Sequence, residues 1–361
     1  MQPHELKKKH LLIMAGGTGG HIFPGLALFD ALPAERWQVS WLGGLQGLEA
    51  KLIPNRGINL HTLPIQGLRG KGKWGLIKAP FRVGMAIYKA CQLFKRLKPD
   101  VVIGFGGYAS GPGGIAAWLL GIPFIIHEQN AIAGLTNRIL ARFAKRVLQA
   151  FPNTLAKGIT VGNPIRNDLL KLSEPLKRLA GRTKPWRLLV MGGSRGAVAL
   201  NKAVVEGLAL LSAEQRPEVW HQTGAEHFTS TQKEYQAQAM AVKVEPFIDD
   251  MAEAYAWADL VICRAGAITV SELAAVGMGS ILVPYPYAVD DHQTANANFL
   301  ERQKAAIIVS QSEFTPERFV AIFKALVAEP QTLQELAQAA YQLRQTEAVQ
   351  AIKQYCEQLS N

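Results

Sequence analysis

His21, set just past a glycine turn in AGGTGGHIFPG (15–25), is the first residue whose type and place could move a proton. Imidazole exchanges protons near neutral pH, so at the mouth of a ligand site it serves as a base or as a donor that orients a substrate. A second polar run, His127, Glu128, Gln129 and Asn130, follows an apolar stretch and offers another base, Glu128. In the other half of the chain Glu272 lies just inside a helix that follows Gly266. A carboxylate there accepts both hydroxyls of a ribose, or balances the helix dipole. Ser194, with the amides of Arg195, Gly196 and Ala197, suits a diphosphate, and Phe247 and Ile248 could cover a nucleotide base.

Such residues work only where strands end beside them. Residues 11–14 are apolar and read as a buried strand, the glycines at 16, 17, 19 and 20 make a turn too tight for side chains, and a helix is expected over 24–32. Further strands are expected at 39–42, 58–64, 101–105 and 124–127, with a basic helix between the second and third of these and another helix over 113–120. The plan then repeats. A strand at 187–191, the turn GGSRGA (192–197) and a helix to 210 echo the opening, and DLVICRAGAITVSELAAVG (259–277) is laid out like DVVIGFGGYASGPGGIAAW (100–118). The expectation is an α/β chain of two Rossmann-like domains whose parallel sheets face each other across a deep cleft. The join is expected in VGNPIRNDLL (161–170), a loose segment at 172–185 and helices over 331–359.

Several classes are excluded. Ile22 stands where the third glycine of G-x-G-x-x-G belongs and no acid ends the second strand, so the first turn is not a dinucleotide fingerprint. No G-x-x-x-x-G-K-[ST] occurs, which removes a P-loop. Hydrophobic content of 48% with 19% charged residues marks a soluble globular chain, and 361 residues suit two domains. Cys91, Cys263 and Cys356 are too far apart for a metal or redox motif and are expected as reduced thiols. The apolar run after the lysines at 7–9 is too short for a secretion signal, and glycines and prolines break the region 101–126 before it could span a membrane. The adjacent pairs Asp249–Asp250 and Asp290–Asp291 read as turn or capping residues, so neither a metal nor a cofactor is expected.

The formal charge of +11 is concentrated: between Ala50 and Pro99 there is no Asp or Glu, and 11 Lys and Arg. Within this block Ile77, Phe81, Met85 and Tyr88 share one helical face. That face packs on the core beneath a solvated basic side, or meets a membrane surface where each basic residue adds up to about 1 kcal/mol, or serves nucleic acid. Nucleic acid ranks last, since no recognition motif is present.

The motifs AGGTGGHIFPGLAL, GGYASGPGG, HEQNAIAGLTNR, GNPIR, GGSRGA, FIDDM, YAWADLVICRAGAITVSELAA and DHQTANA follow in this order. With them the chain, from Leu11 to its C-terminal helices, resembles the MurG family of UDP-N-acetylglucosamine transferases. The resemblance implies a GT-B fold, with a lipid-acceptor domain over 1–165 completed by a returning helix at 346–361, and a donor domain over 166–345. It implies UDP-sugar contacts at Thr18, Gly19, Gly20, Asn130, Arg166, Ser194, Ile248, Ala267, Ile268, Thr269, Val270, Ser271, Glu272 and Gln293. Arg195 in place of the usual Gln, and Ala265 in place of the usual Ser, depart from the family pattern at the nucleotide end.

The implied reaction is inverting transfer of N-acetylglucosamine from UDP-N-acetylglucosamine to the C4 hydroxyl of an undecaprenyl-pyrophosphate-linked muramoyl-pentapeptide, lipid I to lipid II, in peptidoglycan synthesis. His21 is then the first candidate for the base and Glu128 the second. A UDP-N-acetylglucosamine 2-epimerase, another GT-B transferase or a non-catalytic nucleotide-sugar binder are the alternatives. A lipid acceptor further implies peripheral attachment to the cytoplasmic face of the inner membrane, an anionic surface met by Trp74, Ile77, Phe81 and Arg82, and partners among the cell-wall synthesis proteins of cell shape and division.

Overall fold

A computed structural model of the chain describes residues 8–45, 47–64, 72–182, 184–193 and 196–361, with 72–79 and 289 as backbone alone. Two compact units are present, one built from residues 1–164 and Thr346–Asn361, the other from Ile165–Gln345.

The first unit runs β1 (Lys9–Ala15), α1 (Gly19–Ala31), β2 (Trp37–Gly44), α2 (Glu49–Asn55), β3 (Asn59–Leu63), α3 (Gly72–Leu97), β4 (Val101–Gly106), α4 (Ser110–Leu119), β5 (Phe124–Glu128), α5 (Leu135–Leu140), β6 (Arg146–Gln149) and β7 (Ile159–Thr160). Its sheet has the order β3-β2-β1-β4-β5-β6-β7, and every pairing is parallel. The second unit runs α6 (Asn167–Leu170), α7 (Pro175–Leu179), β8 (Arg187–Met191), α8 (Val198–Ala209), β9 (Glu218–Gln222), α9 (Phe228–Ala237), β10 (Lys243–Glu245), α10 (Met251–Trp257), β11 (Leu260–Cys263), α11 (Ala267–Val276), β12 (Ser280–Leu282), α12 (His292–Glu301), β13 (Ile307–Ile308), α13 (Pro316–Ala328) and α14 (Pro330–Gln342). Its sheet, also all parallel, has the order β10-β9-β8-β11-β12-β13. The last helix, α15 (Ala348–Leu359), belongs to the first unit, where Ile352 and Cys356 enter the core beside Leu11, Ile13 and Leu28.

Strands buried on both faces need continuous apolar sequence, which is why LLIMA and RLLVM form the central strands β1 and β8. The internal duplication extends to single hydrogen bonds. Asp100, just ahead of β4, accepts from the amide of His10 in β1 at 2.7 Å, and Asp259, ahead of β11, accepts from the amide of Arg187 in β8 at 2.9 Å. Each Asp pins the start of the central strand pair in its own unit, so each unit is Rossmann-like and built on the same plan.

Four local expectations shift. The first helix begins at Gly19 rather than near Pro24, because proline removes only one ladder bond, to the carbonyl of Gly20, and the helix continues through it. The helix expected at 113–120 begins at Ser110, and the segment expected to be loose at 172–185 contains α7. On α3 the face carrying Phe81, Met85 and Tyr88 does not pack on the core: these residues are 74%, 41% and 58% exposed. The small residues Ala86 and Ala90, with Leu93 and Phe94, turn inward instead, and the helix packs closely along α4. Trp74 and Ile77 carry side chains outside the described residues.

Candidate functional site

In each sheet the strand order reverses beside the central strand, between β1 and β4 in one and between β8 and β11 in the other, and ligands of such sheets gather at the carboxyl ends there. In the first unit two glycine turns meet at that point. Gly17 has φ +92° and Gly107 φ +85°, and a Cβ on Gly107 would lie 2.4 Å from the carbonyl oxygen of Gly16, so only backbone fits between the turns. Ser110 ties them together, its hydroxyl lying 3.0 Å from Met14 O and 2.7 Å from Gly106 O.

Beneath the first turn is a carboxylate that no sequence pattern announced. Glu49, 1% exposed, accepts from the amides of Gly17 at 3.1 Å and Gly44 at 3.0 Å. It stands one residue ahead of the acid-free stretch and removes the Gly17 amide from use by an anion. The first-turn amides of α1, at Gly19 and Gly20 behind the N-cap Thr18, are the ones an anion can still reach.

His21 is half-buried in the first turn of α1, its ring lying against Gly106, where a Cβ would come within 3.1 Å of Cε1 and Nδ1. Its Nδ1 is 3.1 Å from Oε1 of Gln129. Gln129, 1% exposed, places Nε2 3.0 Å from the carbonyl oxygen of His127 and 3.1 Å from His127 Nδ1. His127 itself is buried inside β5, with Nε2 2.8 Å from the carbonyl oxygen of Gly162. Desolvation lowers its pKa to about 4, outweighing the opposing pull of the Gly162 bond and of Glu128.

Glu128 is placed differently from the second base expected of it. Its buried carboxylate accepts from the amides of Asn130 (3.0 Å) and Gly134 (3.1 Å) and from the side-chain amides of Asn130 (3.2 Å) and Asn137 (2.9 Å). Both oxygens accept hydrogen bonds that shape the loop after β5, so Glu128 anchors that loop.

In the second unit the turn after β8 needs glycine for contact as well as conformation: Gly196 has φ +76°, and a Cβ on it would lie 2.3 Å from Thr223 O. Ser194 and Arg195, expected at the diphosphate, lie outside the described residues. Glu272 sits in the second turn of α11, too far along to balance the dipole, whose effect fades within the first turn. It accepts instead from the hydroxyl of buried Tyr255 at 3.1 Å. Desolvation raises its pKa to about 7, against the pull of Tyr255 and of the Arg166 guanidinium. Tyr255, on α10, is a second residue that sequence reasoning missed, since 17 residues separate it from Glu272.

Arg166 ion-pairs with Asp168 and donates to the carbonyl of Asp249 at 3.4 Å. Ile248 is 2% exposed while Phe247 is 44% exposed, so of the two it is Phe247 that offers a surface. Gln293 accepts from the amide of Tyr285 at 2.9 Å, which leaves its amide nitrogen to donate. Along α11 Ile268, Thr269 and Ser271 are partly buried, whereas Ala267 and Val270 are buried; the side chain of Val270 belongs to the core. The capping expectation holds for Asp250, which accepts from the amide of Glu253 at 2.8 Å at the start of α10; Asp291 stands at the N-cap position of α12, but its carboxylate accepts from the hydroxyl of Thr294 at 2.7 Å and not from a helix amide.

Two domain families match this chain, the glycosyltransferase family 28 N-terminal domain over residues 11–149 and the glycosyltransferase family 28 C-terminal domain over residues 187–355. The UDP-N-acetylglucosamine–N-acetylmuramyl-(pentapeptide) pyrophosphoryl-undecaprenol N-acetylglucosamine transferase of Marinobacter nauticus is 47% identical over 98% of this chain and 98% of its own. The protein of the same name from Nitrosococcus oceani is 48% identical over 96% of this chain and 97% of its own. The crystal structure of Acinetobacter baumannii MurG superposes with a TM-score of 0.83 at 44% identity, covering 97% of this chain and 99% of that one. Matched end to end at this level, the chain belongs to glycosyltransferase family 28 and, within it, to the MurG family.

Proposed function

We propose that this chain moves N-acetylglucosamine from UDP-N-acetylglucosamine to the C4 hydroxyl of an undecaprenyl-pyrophosphate-linked muramoyl-pentapeptide, converting lipid I to lipid II. The observation that carries the proposal is near-half identity, over almost the whole length, to transferases named for that reaction. A 2-epimerase of the same fold has no comparable support.

The acceptor oxygen attacks the anomeric carbon from the face opposite the diphosphate, the bond from that carbon to the diphosphate oxygen breaks, and UDP departs with inversion. His21 takes the hydroxyl proton. Its ring is partly exposed, and Nε2 carries no hydrogen bond to any described residue. Glu272 accepts the ribose hydroxyls, Phe247 and the backbone at Ile248 meet the base, and Gln293 donates to the sugar. Helix N-termini, with Ser194, receive the negative charge of the leaving diphosphate. In the first unit the amides at Thr18–Gly20 approach a substrate phosphate.

Among the described residues no helix is long and apolar enough to cross a membrane. The outward Phe81, Met85 and Tyr88, flanked by Arg82 and Lys89, form an apolar and basic face that reaches a lipid acceptor by peripheral contact with an anionic leaflet on the cytoplasmic side. Replacing Phe81, Met85 and Tyr88 by Ser should abolish cosedimentation with anionic vesicles; unchanged cosedimentation would remove this face from the proposal.

Labelled UDP-N-acetylglucosamine incubated with a short-chain lipid I analogue decides the activity. Disaccharide-lipid and UDP are expected. An epimerised sugar, or bound donor without turnover, would overturn the assignment.

A further inference from the structure

Hydrogen-bond polarity runs without a break from the backbone of Gly162 to the ring of His21. A carbonyl oxygen only accepts, so the 2.8 Å contact to Gly162 O requires the proton of His127 on Nε2. Burial keeps that imidazole neutral, which leaves Nδ1 as a lone pair. Gln129 therefore faces it with the amide N–H group, which also donates to His127 O; turning the amide over would set Oε1 against a lone pair and a carbonyl at once. With Nε2 so engaged, Oε1 of Gln129 is the atom that meets His21 Nδ1, at 3.1 Å. An amide oxygen only accepts, so His21 must carry its proton on Nδ1.

We infer that Gln129, oriented by His127, is a positioning residue that holds His21 in the Nδ1–H tautomer and so keeps the lone pair on Nε2. This rests on the reading of His21 as the base in its importance for catalysis, though not in its geometry. Gln129 is 1% exposed and acts only through the ring it orients. The backbone of the chain supports the same arrangement: Asn163 donates to the carbonyl of Gln129 at 3.1 Å, and Gly106, with φ +104°, gives the imidazole a surface with no side chain to push it aside. A free imidazole in water prefers the proton on the other nitrogen, which would place a hydrogen where the acceptor hydroxyl must deliver one. The neutral amide thus selects a tautomer without adding a charge beside the ring.

The test is nitrogen-15 NMR of histidine-labelled full-length protein, with the His21 signals assigned by their loss in His21→Gln, joined to steady-state kinetics of Gln129→Leu. In the wild type, at a pH where the ring is neutral, Nδ1 should read as protonated and Nε2 as a lone-pair nitrogen. Gln129→Leu should shift the ring toward the Nε2–H form and lower kcat by roughly 100-fold, the smaller end of what a general base contributes, with KM for UDP-N-acetylglucosamine changed less than about twofold. A wild-type ring protonated on Nε2 would overturn the inference, and needs no variant to fold. So would a Gln129→Leu enzyme with unchanged nitrogen shifts. If the tautomer is as stated but His21→Gln turns over normally, the base assignment fails and the tautomer control stands.

Discussion

Burial of His127 makes the first unit acid-labile by an amount the structure sets. Its pKa falls from 6.5 to about 4 on folding, so between those values the unfolded chain binds a proton that the folded chain refuses. Stability is therefore full above pH 6.5 and is lost as pH falls toward 4. At roughly 1.4 kcal/mol for each step of one in pH across that window, the loss reaches about 2 kcal/mol at pH 5 and about 3 kcal/mol near pH 4. His221, buried in the second unit with a pKa lowered to about 3 by desolvation, loses stability in the same direction, so the two must be separated. His127→Gln does this, since an amide can still donate to Gly162 O but does not titrate. Urea unfolding of both proteins at about pH 7.5 and about pH 5, followed by hydrogen-exchange mass spectrometry on peptides of β5 and β6, should show the wild type losing about 2 kcal/mol more than the variant. Parallel losses in the two proteins would mean that His127 is not the neutral, buried donor on which the orientation of Gln129 depends.

Glu272, with its pKa raised to about 7, should make donor affinity pH-dependent, because ribose hydroxyls donate to the ionised carboxylate. UDP binding by calorimetry should weaken as pH falls below 7, by up to about tenfold for each step of one in pH, and Glu272→Gln should flatten the profile while binding weakly throughout; a wild-type profile flat from pH 5 to 8 would count against a ribose contact. Gly107→Ala forces a Cβ to 2.4 Å from a backbone oxygen at positive φ, and should cost more than about 2 kcal/mol in urea unfolding, while Gly57→Ala, at positive φ with open space around it, should cost about 1 kcal/mol. Ile352→Ala opens a cavity where α15 meets the first core and should cost about 2–5 kcal/mol, seen as earlier exchange in α1; a loss confined to fraying of α15 would show that the helix only rests on the unit.

Much of the architecture was legible because it depends on local pattern. Apolar runs such as LLIMA and RLLVM, each followed by a glycine turn, suit strands buried on both faces, and the repeated order of Asp, strand, glycine turn and helix marked two copies of one plan before any contact was known. Glycine turns, in which Gly17, Gly107 and Gly196 take positive φ, marked the strand ends, the places where ligands of such sheets gather. Periodicity placed Ile77, Phe81, Met85 and Tyr88 on one face of α3, but spacing is the same whether a face turns in or out; burial of Ala86 and Ala90 where α3 packs along α4 decided that Phe81, Met85 and Tyr88 turn out.

The partners of the chemical groups were decided in three dimensions alone. Glu49 reaches Gly17 across 32 residues, Tyr255 reaches Glu272 across 17, and Gln129 reaches His21 across 108. Glu128, a carboxylate with the right type and neighbourhood for a base, is spent on four loop hydrogen bonds that only the folded turn after β5 could create. Residue types and local spacing determined that this chain places a histidine, the base proposed above, beside a glycine turn at a helix N-terminus. Which nitrogen of that histidine carries the lone pair is decided only by tertiary structure, because hydrogen-bond polarity is relayed through atoms that folding alone brings within reach.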